Sequence, residues 1–292
     1  MAILCLDKCC ILMLTAVKTS VPTLTHIIPS QDRNSVRAVT TLDDKVFVLR
    51  SSSQAVEVYD ATTFTLQRHN IEVGSKHTSR ISLLDVIACA KNKCLYLSEK
   101  GNPYVHRVEL SDRHSNAVKS WSVARYPKGL SVNTFHNLVV ACDEAQKLQV
   151  YTTHGVIVRE IRMKLSPSYA IQLSTGDYVV GESKSVGAVG VVRVDGQVIH
   201  IYGQSQLSDN GLISFPSGLA VAKNDDILVA DRANNRIMST NRSLERGQAL
   251  ALSVDDGIQA PQGLCLDESR GRLYVVEYGG QRRVLVFDGV RF

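Results

Sequence analysis

The sequence predicts an all-β fold, a closed ring of six four-stranded antiparallel sheets, and three observations carry that expectation. A motif recurs as Pro127-Lys-Gly-Leu130, Pro216-Ser-Gly-Leu219 and Pro261-Gln-Gly-Leu264, each copy opening two short apolar runs. The second run ends at a nearly constant distance from its anchor. Finally, Thr23-Leu-Thr-His-Ile-Ile28 reads as a strand with no sheet of its own, while the last copy stops one strand short.

Six anchors follow from the spacing. Pro167-Ser-Tyr-Ala170 fits the frame with Tyr in the Gly position, and more degenerate copies begin at Ser35 and Leu83. The second run closes at Arg50, Ser98, Cys142, Glu182 and Asp231, 15 residues after each anchor, and at Glu277, 16 after the last. Anchors near 35, 83, 127, 167, 216 and 261 lie 48, 44, 40, 49 and 45 residues apart. Blades of a four-stranded β-propeller repeat every ~40–45 residues. The expected fold is therefore a six-bladed β-propeller occupying residues 23–292 as one domain, a length that closed β architectures reach as a single unit.

Within a copy the strands are short. In the fifth, GLAVA, ILVAD, RIMST and ALALS are separated by the polar turns KNDD and ANN and by a polar link. In the fourth, VVRVDGQVIHIYG sets Asp195-Gly196 between two alternating runs, a strong hairpin signal. The sixth supplies only GLCLD, LYVVE and RRVLVFDGV. Pairing Thr23–Ile28 beside its last strand closes the ring and removes an open edge.

The stretch PSGLAVAKNDDILVADRANNRIMS resembles the NHL repeat, and PKGLSV...LVVACDEAQKLQVY and PQGLCLDESRGRLYVVEYGGQRRVLVF are weaker echoes of it. The resemblance covers roughly residues 35 to 292 and is strongest in the fifth and sixth copies. It implies a propeller like those of the tripartite-motif family, which bind protein or RNA partners, often as the substrate-selecting end of a ubiquitin ligase. An acid closes the second run at Glu182, Asp231 and Glu277 but not at Arg50, Ser98 or Cys142. An acid that recurs at one blade position reads as architecture. Asp231 is expected to accept hydrogen bonds from backbone groups of the following turn or the neighbouring blade, with Asn234 and Asn235 tolerating positive φ.

The expected function is a non-enzymatic interaction scaffold. The residues that open the innermost strands are Arg37, Asp85, Gly129, Tyr169, Gly218 and Gly263, too few oxygen or imidazole ligands for a metal cage. The eight histidines share no inner-strand offset: His106 and His200 are assigned to outer strands, and His136 and His154 to turns. No GxSxG, P-loop or HExxH pattern is present. No cofactor and no metal is expected. The alternative is a metal-dependent six-bladed hydrolase or lyase of the gluconolactonase type.

The expected docking face carries the d-to-a and b-to-c loops, where strands a to d run outward from the axis. Its d-to-a loops hold a basic arc of Lys76, Arg80, Arg125, Lys128 and Lys164, with Asp209, Asp255 and Asp256 opposite. Arg232, Arg236, Arg282 and Arg283 form a secondary set in the b-to-c loops. Tyr126 and Tyr278 are candidate stacking aromatics, while Trp121 is expected to be packed. The partner is a protein or a single-stranded or stem-loop RNA; DNA and membrane are not expected, and the propeller is expected to be monomeric.

The net charge of +5, from 33 basic and 28 acidic residues, is spread without a like-charge block. Seven cysteines form no CxxC pair, which favours reduced thiols and a cytoplasmic setting. Residues 1–22 read as an apolar leader broken by Asp7 and Lys8, with secretion as the lesser alternative.

Overall fold

The computed structural model describes residues 21–30, 35–51, 53–67, 70–74, 81–110, 117–182, 187–203, 213–245, 247–254 and 257–292. It is a six-bladed propeller. Strand β1 (Thr23–Ile28) precedes the first blade, which comprises β2 (Val36–Leu42), β3 (Lys45–Arg50), β4 (Ala55–Asp60) and β5 (Ile71–Glu72). Blade 2 contains β6 (Leu83–Cys89), β7 (Cys94–Glu99), β8 (Tyr104–Glu109) and β9 (Val118–Ser122). Blade 3 contains β10 (Pro127–Val132), β11 (Leu138–Cys142), β12 (Lys147–Tyr151) and β13 (Ile157–Arg162). In blade 4 the strands are β14 (Pro167–Gln172), β15 (Tyr178–Glu182), β16 (Ala188–Val192) and β17 (Val198–Tyr202). Blade 5 is β18 (Pro216–Val221), β19 (Ile227–Asp231), β20 (Arg236–Thr240) and β21 (Gln248–Ala249). Blade 6 is β22 (Pro261–Asp267), β23 (Arg272–Glu277) and β24 (Val284–Asp288), with β1 as its outermost strand.

The second strands LVVAC, YVVGE and ILVAD are apolar almost throughout because each lies between two blades and buries both faces. Side chains from adjacent blades then form one apolar layer per interface. Between blades 1 and 2, Leu49 and Val56 meet Leu83 and Leu97. Between blades 6 and 1, Ile28, Tyr274, Val276 and Val286 meet Val36, Val46 and Val48. The closing interface is as apolar as the others.

Closure is antiparallel, with Leu24 opposite Phe287, His26 opposite Val286 and Ile28 opposite Val284. The chain start thus supplies the strand missing from the last copy. One expected strand is shorter: the fourth of blade 5 is only Gln248–Ala249, in place of a run reaching Ser253. The Asp195-Gly196 turn forms as expected, with Gly196 at φ +92° and its N–H donating to the Arg193 carbonyl.

The inner strands β2, β6, β10, β14, β18 and β22 turn one backbone edge toward the axis. Proline is tolerated at the first residue of such a strand, which suits Pro127, Pro167, Pro216 and Pro261. Each inner strand carries a register shift just after its start. Neighbouring side chains bond to the exposed edge. The Ala88 N–H donates to Thr40, the Leu130 N–H donates to Asp85, Ser131 donates to the Ala170 carbonyl, and Ser217 donates to the Pro261 carbonyl.

The pairing corrects the register of the first two copies. Val36, not Ser35, lies opposite Arg50, and Leu83 lies opposite Glu99, not Ser98. Glu99 therefore joins Glu182, Asp231 and Glu277 as an acid closing a second strand.

Ile28 is fully buried in the closing interface whereas its neighbour Ile27 is 38% exposed. Ile28→Ala is expected to lower urea stability by about 2–4 kcal/mol, and Ile27→Ala by no more than ~1 kcal/mol. Equal small losses would show that closure contributes little.

Candidate functional site

Because each first strand starts where its second strand ends, the d-to-a and b-to-c loops emerge together on one face. In blades 1, 4, 5 and 6 a side chain at the end of the second strand grips the loop that enters its own blade. In blade 5, Asp231 is fully buried and accepts from the Ser214 N–H at 2.7 Å, from the Asn234 amide and from Arg236 Nε at 2.8 Å. Its backbone partner is thus in the preceding loop, not in the following turn or a neighbouring blade. Of the two asparagines only Asn235 has positive φ, +53°, and its side chain accepts from the Ala260 N–H of blade 6. Asn234 lies in a 3-10 turn, Arg232–Asn234.

Blade 6 repeats the device: Glu277 accepts from the Gln259 N–H at 2.8 Å and from Arg283 Nε at 2.9 Å. In blade 4, Glu182 accepts from the Ser166 N–H. Blade 3 has Cys142 at this position, and Gln149 of β12 accepts from the Ala124 N–H instead, at 2.7 Å. Blade 1 reverses the sign, since Arg50 donates to the Pro29 carbonyl and to Glu57. In blade 2, Glu99 accepts from Asn102 and bonds to His106.

His106 corrects the sequence reading. It lies in the third strand, not an outer one, is fully buried, and bonds through Nδ1 to Ser120 at 2.8 Å and through Nε2 to Glu99 at 3.3 Å. His200 does lie in an outermost strand, β17. His136 and His154 sit in turns, and His26 stacks on Phe64 at 4.2 Å. Trp121 is partly buried, between Tyr96 and Tyr151.

The expected docking cations divide sharply. Lys128 pairs with the buried Asp143, Arg236 with Asp231, and Arg283 with Glu277 and Gln281. These three are engaged inside the fold. Arg125, Lys164 and Arg282 are exposed, and Arg125 lies 5.9 Å from the centre of the Tyr126 ring. Arg232 lies over the Tyr278 ring at 4.2 Å. Lys76, Arg80, Lys184, Asp209, Asp255, Asp256, His69, His77, His114 and the leader 1–20 lie outside the described residues.

Phe215 was not singled out in the sequence. It precedes Pro216 at φ +59°, its side chain is 50% exposed, and its carbonyl accepts from the Arg232 N–H. Tyr126 precedes Pro127 at φ +56° in the same way. A left-handed conformation costs a residue with a Cβ ~1–2 kcal/mol. Arg232 lies over the Tyr278 ring while its backbone N–H bonds to the Phe215 carbonyl, so these three residues form a ridge on the loop face across blades 5 and 6. The signal was available as an aromatic immediately before the anchor proline.

At the axis, pairing places Ala38, Asp85, Tyr169, Gly218 and Gly263 opposite the next-to-last residues of their second strands. Arg37 instead falls on the register shift, so Ala38 takes its expected place in the wall of the axial cavity. The glycines permit close approach: a Cβ on Gly129 would strike the Tyr169 ring, and one on Gly218 would come within 2.6 Å of the Gln262 carbonyl. Asp85 accepts from Val86 N–H at 2.9 Å and Leu130 N–H at 2.7 Å, and burial raises its carboxyl to about 7. Burial, with the nearby Asp85 charge, also raises the Tyr169 phenol. Among the described residues no three His, Cys, Asp or Glu side chains cluster as metal ligands.

Residues 214–237, which span the latch of blade 5, match the NHL repeat family. No curated protein matches the chain. Among solved structures, a streptogramin B lyase is 12% identical with a TM-score of 0.63, over 90% of this chain and 96% of that one. A catalytically inactive virginiamycin B lyase from Staphylococcus aureus with quinupristin is 11% identical, TM-score 0.61, over 91% and 88%. The PQQ-bound aldose sugar dehydrogenase from Streptomyces coelicolor is 12% identical, TM-score 0.65, over 91% and 97%. At these identities the likeness is one of fold.

The pairing of Lys128 separates it from its neighbour in the arc. With Lys128 34% exposed, Lys128→Glu is expected to cost about 2–3 kcal/mol in urea unfolding, less than the ~3–5 kcal/mol for breaking a fully buried pair. Lys164→Glu is expected to stay within about 0.5 kcal/mol. A neutral Lys128→Glu would show that Asp143 does not depend on it.

Proposed function

We propose that the protein is a non-enzymatic interaction module that captures a protein or RNA partner through its loop face. The observation that carries this reading is the ridge formed by Phe215, Arg232 and Tyr278. The guanidinium covers one exposed aromatic, Tyr278, and the residue's backbone holds a second, Phe215, in a conformation that local backbone energetics disfavour. Strained residues and exposed aromatics concentrate where a surface meets a ligand. Arg125, Lys164 and Arg282 extend the face with solvent-accessible positive charge.

The latch chemistry supports the same reading. Asp231 and Glu277 are each occupied by a backbone N–H of the entering loop and by an arginine of their own blade, and Glu182 by the Ser166 N–H. Their arrangement serves the loops. A role as the recognition end of a ubiquitin-ligase system belongs to this proposal as the use to which such capture would be put.

Phe215→Gly removes the aromatic and relieves the positive φ, so stability is expected to change by no more than about 1 kcal/mol. Partner recovery in a crosslinking pull-down is expected to fall at least severalfold, and Tyr278→Ala to act alike. Recovery unaltered in both variants would reject the ridge. Ribonuclease treatment and the salt dependence of recovery distinguish the partners, because phosphate contacts release counterions and give a steep slope. A stoichiometric, chelator-sensitive metal in the purified protein would favour the hydrolase or lyase alternative.

A further inference from the structure

The axial channel contains a cavity of 340 Å³ whose wall is chiefly aliphatic, including Val86, Leu130, Ile171, Leu219 and Leu264. An apolar cavity of ~150 Å³ accepts a benzene ring, so this one admits a body about twice that size. Asp85 supplies the only carboxylate among the described residues of this wall. Its two backbone bonds use one lone pair on each oxygen. The second pair of each is left for a ligand.

Among the described residues no cation pairs with the carboxylate. On the strands packed against β6, Arg37 of β2 lies near enough to Tyr169 to favour its phenolate but makes no ion pair with Asp85, and Arg50 of β3 donates to Glu57 and Tyr59. Glu99 of β7 binds Asn102 and His106, and Lys128 of β10 pairs with Asp143. Tyr169 of β14 lies near enough to Asp85 for the two charges to repel. A buried carboxylate in this setting is stabilised by an ammonium that arrives with the ligand. The Tyr169 ring in the wall offers that ammonium an aromatic surface as well.

We propose that the axial channel binds a small alkylammonium ion, with its nitrogen at Asp85 and its aliphatic body along the apolar wall. This site is separate from the loop-face ridge and stands whether or not the ridge captures a partner. Binding requires the carboxylate form. A protonated Asp85 must therefore give its proton to solvent as the ammonium enters, and no covalent bond changes.

Titration calorimetry with hexylammonium chloride and with 1-hexanol tests the proposal on the intact protein. At pH 8 the ammonium is expected to bind about tenfold more tightly than the alcohol. Between pH 8 and pH 6 its affinity is expected to fall by about tenfold, since Asp85 then carries a proton that binding must remove. At pH 7, enthalpies measured in phosphate and in Tris are expected to reveal proton release for the ammonium and none for the alcohol. Asp85→Asn should abolish the preference, and Ala88→Phe, which fills the channel, should abolish binding of both. Equal affinities, absence of proton release, or undiminished binding to Ala88→Phe would each overturn the proposal. The proton-release measurement uses the unmodified protein and decides the matter even where Asp85→Asn fails to fold.

Discussion

A ring of sheets has a problem at its centre: every innermost strand presents a row of backbone N–H and C=O groups that no fifth strand covers. Buried polar groups left without partners are costly. Here the neighbouring blade covers them, through Thr40, Asp85, Ser131 and Ser217, so that edge satisfaction and blade-to-blade attachment are the same set of bonds. Apolar layers hold the blades face to face, but these side chains fix their angular position at the axis. The same requirement explains why an acid stands in the wall of an otherwise aliphatic channel.

The loop face solves a second problem with varied chemistry. In four blades a backbone group of the entering loop is held by the end of the second strand: by Asp231, Glu277 or Glu182 where the group is an N–H, and by Arg50 where it is a carbonyl. Where Cys142 cannot serve, Gln149 does so from the adjacent strand. What persists around the ring is the held loop, not the identity of the holder. Side chains committed in this way are poor material for recognition, and the proposed docking role is accordingly assigned to neighbours such as Phe215, Tyr278 and Arg282.

Much of this was legible in the sequence. Pro-x-Gly-Leu set the anchors of blades 3, 5 and 6 because an edge proline and a glycine of close approach are local necessities, and the unpartnered strand Thr23–Ile28 pointed to closure. The register of blades 1 and 2 slipped by one residue, since neither has the proline that marks the first paired position. His106 was assigned to the surface because its partners, Glu99 and Ser120, are brought to it by pairing with strands on either side. Lys128, Arg236 and Arg283 looked free for the same reason: a charge list does not show which cations meet a buried acid. The exposed Phe215 was missed although its place before Pro216 copied that of Tyr126.

Joining the first strand to the last has a temporal side. Val286, which pairs with His26, is made about 260 positions later. At ~5–20 residues per second, β1 leaves the ribosome tens of seconds before Val286 exists. Until then it is a strand awaiting a mate, and the wheel stays open until β24 has been made. A chaperone that shields this strand, or a slower passage through the codons of β24, acts on the one step that turns an arc into a circle.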